Sequence, residues 1–312
     1  MTAGRARTVF VGSGGFGRES LWRLDSHDDV ELVGVVTAPP RPAGRGGRLG
    51  PTIIHEVADE LAVPVILTPE RLRAPDAVAE VLALEPDLLV LADYGQIVPA
   101  ALLRVRYGAL NLHPSLLPRH RGATPIQAAI LAGDAQTGVT LMQMDEGLDT
   151  GPIVAQATVQ LEGSETTPIL EERLMMAADG VLNDHLGPWI RGEIKARPQP
   201  IEGVTITRPL RREDGRLDPS RSAGELDRQI RAHQPWPGSF IETPAGRLVV
   251  WAAAPEVDPN APARGVIDAR GLGVGDRQRL WLREVQPAGG KRMSWGAFVR
   301  GHPSIVGTSI VR

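Results

Sequence analysis

Cysteine is absent from this 312-residue chain. Disulfide bonds, thiolate nucleophiles and cysteine-ligated metal sites are therefore excluded together. The sequence also contains no apolar run of about 18 residues, the length that a membrane-spanning helix requires. Its first ten residues lead directly into a strand-like segment rather than into the apolar stretch of a signal peptide. We therefore expect a cytoplasmic protein.

Lysine is nearly absent, with only Lys195 and Lys291, so almost all positive charge comes from arginine. The charge is unevenly distributed: residues 1–207 carry a net charge of -9, and residues 208–312 carry +6. A basic C-terminal third on an acidic chain indicates a polyanionic partner there, although a solvated basic face would give the same pattern.

Short apolar runs alternate with segments of helical periodicity in the first half of the chain. This alternation predicts an α/β fold with a Rossmann-like, doubly wound parallel sheet. The predicted strands lie at 8–12, 31–37, 63–67, 87–92, 108–113 and 138–144, and the predicted helices at 20–25, 52–61, 77–84 and 125–132.

The second half of the chain has a different organisation. Residues 191–209 carry three prolines and little periodicity, which is typical of a linker. A predicted helix and several short strands follow, and strands of this length and spacing favour a small β-barrel. The helix lies at 222–233 and the strands at 247–251, 265–267, 280–285 and 304–311. We therefore predict domains at 1–190 and 209–312, joined by a linker at 191–208.

Gly12, Gly14 and Gly17 form a complete G-x-G-x-x-G pattern after the first predicted strand. In dinucleotide-binding enzymes such glycines admit the pyrophosphate to a helix N-terminus. An acidic residue should then close the second strand, but none is present there. Arg41 follows and would suit a 2′-phosphate, so an NADP-dependent reductase remains an alternative. Glycines also form tight strand-to-helix turns without any nucleotide.

Candidate catalytic side chains lie at the end of the fifth predicted strand. Asn111 and His113 are two residues apart, so both point to one face of that strand. An amide N–H can stabilise an oxyanion, and an imidazole can transfer protons near neutral pH. Asp149, in a glycine-flanked loop, would complete a set suited to acyl transfer to an amine. Taken singly, these residues are more often a structural hydrogen-bonded pair and a turn-capping carboxylate.

The run from Asn111 to Gly151 resembles the folate-dependent formyltransferases, most closely the branch whose acceptor is methionyl-tRNA. The likeness covers nearly the whole chain and implies a Rossmann-like formyltransferase domain followed by an OB-like β-barrel. The matching segments are RPAGRG (41–46), ADYGQIVP (92–99), RGATPIQAAILAGDAQTGVTLMQMDEGLDTG (121–151), RAHQPWPGSF (231–240) and LREVQPAGGKRMS (282–294).

The resemblance implies that 10-formyltetrahydrofolate is the formyl-donor cosubstrate, that no metal is needed, and that initiator methionyl-tRNA is the partner. It implies a role for each of these residues: catalysis for Asn111, His113 and Asp149, folate binding for Ser115, Leu116, Leu117 and Pro118, and tRNA binding for Arg45. Asp149 is expected to hold His113 protonated. We also expect a monomer.

Two segments depart from the family pattern. The first turn reads GSGGFG where the family usually has a proline and an acid near the phenylalanine, and Pro51–His55 lacks the usual lysine. A formyltransferase acting on an amino-sugar nucleotide is the nearest alternative, and RPAGRG with the basic C-terminal third favours tRNA over it. A non-catalytic RNA-binding module would leave the run at 111–151 unexplained.

Overall fold

The computed structural model of the chain describes residues 5–43 and 48–311. The strands are β1 (Ala6–Gly12), β2 (Val30–Val36), β3 (Arg41–Ala43), β4 (Arg48–Gly50), β5 (Ile66–Leu67), β6 (Leu88–Ala92), β7 (Ala109–His113), β8 (Arg121–Gly122), β9 (Gln136–Gln143), β10 (Ile153–Gln160), β11 (Ile206–Thr207), β12 (Ser239–Thr243), β13 (Gly246–Val257), β14 (Gly271–Val274), β15 (Gln278–Pro287) and β16 (Met293–Ser294). The helices are α1 (Arg18–Ser26), α2 (Ile53–Glu60), α3 (Pro75–Leu82), α4 (Ala100–Leu103), α5 (Pro125–Ala132), α6 (Thr167–Ile190), α7 (Ala223–Ala232) and α8 (Trp295–Gly301).

The chain divides into two compact units. The N-terminal unit consists of Met1–Pro125, Gln136–Gln160 and Glu171–Thr207. The C-terminal unit consists of Ile126–Ala135, Leu161–Leu170 and Arg208–Arg312. Within the described ranges, no helix is both long and apolar enough to cross a membrane.

A seven-stranded sheet organises the N-terminal unit, in the order β10-β9-β7-β6-β1-β2-β5. The pairs β7–β6, β6–β1, β1–β2 and β2–β5 are all parallel. Continuous apolar runs form the central strands, and all five residues of β6 are buried, as expected where helices cover both faces of a parallel sheet. The predicted α/β class with a Rossmann-like sheet is confirmed.

Two features of this unit differ from the predicted pattern. Strand β9 pairs antiparallel with β7, and β10 pairs antiparallel with β9. Strand β10 and the long helix α6 were not predicted from the sequence. Two glycines and Pro188 interrupt the helical pattern of α6, and such residues lower the helical signal of a sequence.

A five-stranded antiparallel sheet forms the C-terminal unit, in the order β12-β13-β15-β14 with β16 paired to β15. This sheet is a half-barrel, which confirms the prediction of a β-rich fold in the C-terminal part of the chain. Helix α7 begins at a capping box formed by Ser222 and Glu225, and its apolar side packs on the sheet in a core that includes Leu226, Ile230 and Leu282. Such a box satisfies donors that the first helical turn leaves free.

The predicted strand at 304–311 is wrong. A 3-10 turn occupies Pro303–Ile305, and only isolated bridges at Ser309 and Val311 follow. Gly307 adopts a positive φ of 88°, a left-handed conformation that interrupts an extended strand.

The segment predicted as a linker makes ordered contacts with the N-terminal unit. Arg197 bridges Ile153, and β11 pairs in parallel with β8. The predicted domain limits at 190 and 209 remain predictions, but the part of the segment from Arg197 to Thr207 is held by the same unit that carries the catalytic candidates.

Candidate functional site

The carboxyl end of β7 carries both Asn111 and His113. In register, Asn111 lies beside Leu91 of β6 and Met142 of β9, so the two candidates are in the middle of the sheet. Asn111 is half-buried. Its side-chain amide has no hydrogen-bond partner in the part of the chain that the structure describes. The amide is therefore able to donate to another group at the sheet edge.

His113 is almost fully buried, with 4% of its surface exposed. Its Nε2 lies 2.9 Å from the carbonyl oxygen of His120. Because a carbonyl oxygen only accepts, Nε2 must carry the hydrogen, and a neutral ring then has an unprotonated Nδ1. Burial lowers the pKa of His113 below its ordinary value, while the Asp149 carboxylate opposes that shift. Burial thus works against the protonated ring that we expected.

Asp149 reaches the same place from the loop before β10. Its backbone adopts a left-handed conformation with φ of 51°, which short polar residues tolerate better than most. One carboxylate oxygen, Oδ2, accepts a 2.7 Å hydrogen bond from the backbone N–H of Gly122 and lies 3.7 Å from Nδ1 of His113. The structure therefore brings the carboxylate to the one ring nitrogen that can accept a proton.

A side chain from the supposed linker supports the Asp149 loop. Gln199 donates from Nε2 to the backbone oxygens of Asp149 and Gly151, at 2.8 and 2.7 Å. Arg121 in turn donates to Oε1 of Gln199 at 2.7 Å. These hydrogen bonds hold the backbone of the Asp149 loop in place. Sequence reasoning missed Gln199, because a lone glutamine in a segment without periodicity carries no signal of a distant contact.

The four predicted folate residues follow His113 directly, but their side chains are not equally available. Ser115 and Leu117 are buried. The hydroxyl of Ser115 donates to a backbone oxygen four residues on, and the N–H of Leu117 donates to Thr140 Oγ1 at 3.0 Å. Leu116 is partly exposed, whereas Pro118 is buried. The segment therefore has a fixed shape, and Thr140, which the sequence analysis missed, helps to set it.

The glycine turn after β1 packs against an acidic side chain. A Cβ atom added at Gly14 would overlap the carboxylate of Asp93, and that carboxylate accepts a hydrogen bond from the backbone N–H of Phe16. The backbone N–H groups of Ser13 and Gly14 donate to the Asp93 carbonyl at 3.1 and 3.3 Å. Within the protein, then, an internal carboxylate takes the position beside the turn that a pyrophosphate would need.

Arg45 lies outside the described residues. Among residues 5–43 and 48–311, no group of three or more histidine, aspartate or glutamate side chains is arranged to hold a metal ion.

Comparison with known proteins identifies relatives over nearly the whole chain. The family model described as formyl transferase matches residues 6–186, and the model for the formyl transferase C-terminal domain matches residues 209–303. The chain is 43% identical over 307 residues to a methionyl-tRNA formyltransferase of Gluconacetobacter diazotrophicus, covering 97% of this chain and 99% of the relative. It is 40% identical over 310 residues to the enzyme of the same name from Halorhodospira halophila, covering 98% and 99% of the two chains.

Solved structures with lower sequence identity share the fold. The sugar 3N-formyltransferase WlaRD, crystallised with dTDP and 5-N-formyl-THF, aligns with a TM-score of 0.65 at 15% identity, covering 90% of this chain and 98% of that one. HypX from Aquifex aeolicus in complex with tetrahydrofolic acid aligns with a TM-score of 0.62 at 17% identity, covering 95% and 47%.

Proposed function

The chain belongs to the formyl transferase family, among the methionyl-tRNA formyltransferases, and from this premise we propose how its residues carry out the reaction. The enzyme transfers a formyl group to the α-amino group of methionyl-initiator tRNA, for translation initiation. In our proposal the donor is 10-formyltetrahydrofolate. The observation that carries the site assignment is the grouping of an unpaired amide, a buried imidazole and a carboxylate at the end of β7.

The reaction exchanges one C–N bond for another. The neutral amine of methionyl-tRNA attacks the formyl carbon and forms a tetrahedral intermediate with an oxyanion. The bond from that carbon to N10 of the folate then breaks. The attacking nitrogen loses one proton and N10 gains one, so tetrahydrofolate and formyl-methionyl-tRNA are the products.

Asn111 stabilises the oxyanion in this scheme. Its half-buried amide has no partner in the described structure, so it can donate without first breaking an internal hydrogen bond. A donor that is already oriented where negative charge develops lowers the barrier with little reorganisation.

His113 and Asp149 handle the proton as a pair. Nε2 of His113 is committed to the carbonyl oxygen of His120, so Nδ1, facing Asp149 at 3.7 Å, is the position that takes up a proton. A proton released by the attacking amine is stabilised between Nδ1 and the carboxylate, and the pair returns it to N10. We propose this in place of a permanently protonated His113, because burial lowers the pKa of the ring.

The remaining assignments concern the two substrates. Ser115, Leu116, Leu117 and Pro118 line the folate site chiefly through their fixed backbone and the partly exposed Leu116. Arg45 contacts the acceptor stem, and the basic C-terminal residues contact the same tRNA. The protein acts in the cytoplasm as a monomer and requires no metal.

An amino-sugar nucleotide is the alternative acceptor. The relatives at 40–43% identity are named for methionyl-tRNA, whereas the sugar-modifying WlaRD is similar at only 15% identity and supports the fold alone. The NADP-dependent reductase is set aside, since family membership and the Asp93 carboxylate at the glycine turn both speak against a dinucleotide.

Radiolabelled formyl transfer tests the proposal. Purified enzyme should label methionyl-initiator tRNA from 10-formyltetrahydrofolate, and an excess of an amino-sugar nucleotide should neither inhibit transfer nor become labelled. Asn111→Ala serves as a control for a contaminating activity. Labelling of the sugar in preference to the tRNA would overturn the acceptor assignment.

A further inference from the structure

Two backbone groups at the start of β8 hold the pair His113 and Asp149. Nε2 of His113 donates to the carbonyl oxygen of His120 at 2.9 Å. The carboxylate of Asp149 accepts from the backbone N–H of Gly122 at 2.7 Å. A single residue, Arg121, separates these two backbone groups. The orientation of the peptide groups on either side of Arg121 therefore sets where both contacts lie.

Each of these two peptide groups is bonded on its other side to residues at β11. Because a trans peptide group is planar, its C=O and N–H point in opposite directions. The group that presents the His120 carbonyl also carries the N–H of Arg121, which donates to the Thr205 carbonyl at 2.9 Å. The next group presents the N–H of Gly122, and its carbonyl accepts from the Thr207 hydroxyl at 3.0 Å. Thr205 and Thr207 thus orient both groups.

The two threonine hydroxyls add further hydrogen bonds to the same stretch of backbone. Oγ1 of Thr205 accepts from the N–H of His120 at 2.7 Å and lies 3.3 Å from Nδ1 of the His120 ring. Oγ1 of Thr207 accepts from the N–H of Thr124 at 3.0 Å while it donates to the carbonyl of Arg121. A serine could form all of these bonds, whereas a valine of the same shape as threonine could form none of them.

The close approach of β11 to β8 depends on Gly122. A Cβ atom built at Gly122 would overlap the carbonyl oxygen of Thr207, and the residue adopts a positive φ of 102°. Both conditions favour glycine, which has no Cβ and tolerates this conformation. The chain is therefore built so that β11 lies directly against the peptide groups that hold the catalytic pair.

We propose that Thr205 and Thr207 are positioning residues for formyl transfer, an inference that rests on the proposed roles of His113 and Asp149. Through the peptide groups around Arg121, they hold Nδ1 of the ring opposite the carboxylate. Proton transfer depends steeply on geometry, and a misplacement of about 1 Å can cost a reaction about 100-fold. Neither threonine contacts a substrate in this scheme, so losing a hydroxyl should lower kcat and leave KM unchanged.

Thr205→Val and Thr207→Val test the proposal in the full chain. Each variant should lower kcat about three- to tenfold, the scale of one hydrogen bond, with the KM for each substrate within about twofold of wild type. Thr205→Ser and Thr207→Ser should keep kcat within about twofold of wild type, because serine retains the hydroxyl. Equal losses in the serine and valine variants, or a rise in KM without a fall in kcat, would overturn the proposal.

Thr158→Val is the matched control. Thr158 lies on β10 of the same unit and, like Thr205, is exposed. Its side chain forms no hydrogen bond with any residue that the structure describes, so the same substitution should leave kcat at the wild-type value. A loss of kcat equal to that of Thr205→Val would mean that any such change in a strand of this unit slows transfer, which contradicts a specific positioning role.

The ring of His113 gives a measurement that is independent of turnover. Nitrogen-15 NMR of histidine-labelled enzyme, with His113→Asn to assign the signal, should show a single Nε2–H tautomer in wild type. Thr205→Val should populate the Nδ1–H tautomer, because the Asp149 carboxylate favours a hydrogen on Nδ1 once the bond to His120 weakens. An unchanged tautomer in that variant would contradict the proposal. Wild-type kcat in His113→Asn would instead count against the proposed proton transfer, while the NMR signal would still decide whether Thr205 positions the ring.

Discussion

Two polar clusters, one in each unit of this protein, are built in opposite ways. In the N-terminal unit, the amide of Asn111 has no partner in the described structure, and His113 and Asp149 face each other 3.7 Å apart. In the C-terminal unit, Arg279 is nearly buried, with 5% of its side chain exposed, and contacts three carboxylates. Polar groups that lack a full set of partners are typical of a reactive site, whereas fully paired polar groups stabilise a fold.

The positive charge of residues 208–312 is divided between arginines that form ion pairs and arginines that do not. Arg208, Arg231, Arg247 and Arg279 all form ion pairs within the C-terminal unit, so their charge is neutralised locally. Two other arginines lie over aromatic rings instead. Arg283 is 3.4 Å from the centre of the Trp281 ring, and Arg292 is 3.5 Å from that of Trp251. The net charge of +6 already subtracts these acidic partners, so the positive charge offered to a polyanion lies on arginines that form no ion pair among the described residues, such as Arg283 and Arg292.

The sharpest test of this comparison is to remove the unpaired side-chain amide of Asn111. We expect Asn111→Ala to lower kcat about 100- to 1000-fold, the usual cost of losing one oxyanion donor. Its unfolding temperature should match wild type, because the amide has no internal hydrogen bond to lose. Near-normal turnover in a folded variant would show that the oxyanion is stabilised elsewhere.

The complementary test is to remove the guanidinium of Arg279, which contacts three carboxylates. Arg279→Met should lower the unfolding temperature of the full chain by several degrees, because Glu256, Asp258 and Asp268 are left facing one another without their shared cation. Formyl transfer well below the new unfolding temperature should keep its kcat. Calorimetry and single-turnover kinetics give the two readouts, and a loss of kcat without loss of stability would contradict the structural role.

Charge-neutral substitutions can locate the tRNA surface. Arg283→Gln with Arg292→Gln should weaken tRNA binding and reduce the slope of log affinity against log salt by up to about 2, since each phosphate contact contributes about 0.9 in duplex B-DNA. Arg247→Gln is the control, because Arg247 already pairs with Glu242 at 2.6 Å. Point substitutions are preferable to a fragment ending at 207, since the C-terminal unit also includes Ile126–Ala135 and Leu161–Leu170. An unchanged salt slope would rule out these two contacts.

The smallest expected effect concerns two buried histidines, one in each unit. Burial lowers the pKa of both His113 and His233. Above about pH 6.5, the ring is neutral in the folded and unfolded states alike. As the pH falls below 6.5, the unfolded state binds protons first, so the free energy of unfolding declines until the folded pKa is passed.

Each histidine contributes about 1.4 kcal/mol to this decline in the free energy of unfolding for every pH unit by which folding lowers its pKa. His113→Asn and His233→Gln should each flatten this dependence in denaturant titrations between pH 4.5 and 7.5, chosen as roughly the range around the ordinary histidine pKa. An undiminished decline in both variants would place the titrating groups elsewhere.

The sequence could predict the part of the site that lies on one strand. Asn111 and His113 follow a buried apolar run at a spacing of two, and that period alone puts them on one face. It could not predict that β9 reverses direction, because strand direction leaves no mark on an alternating pattern. Nor could it predict Gln199, whose contacts with Asp149 and Gly151 depend on how a segment without periodicity returns to the sheet.

Gly14 and Asp93 cannot change independently. The carboxylate of Asp93 occupies the space of the side chain that Gly14 lacks, so any larger residue at position 14 demands a smaller one at position 93. The first turn of this chain, which departs from the usual family pattern, is therefore one half of a linked pair. An evolutionary path between the two forms must pass through glycine at 14 with a small residue at 93. Grafting only the first turn of a relative that has a larger residue at position 14 should produce a collision, which transferring both segments together avoids.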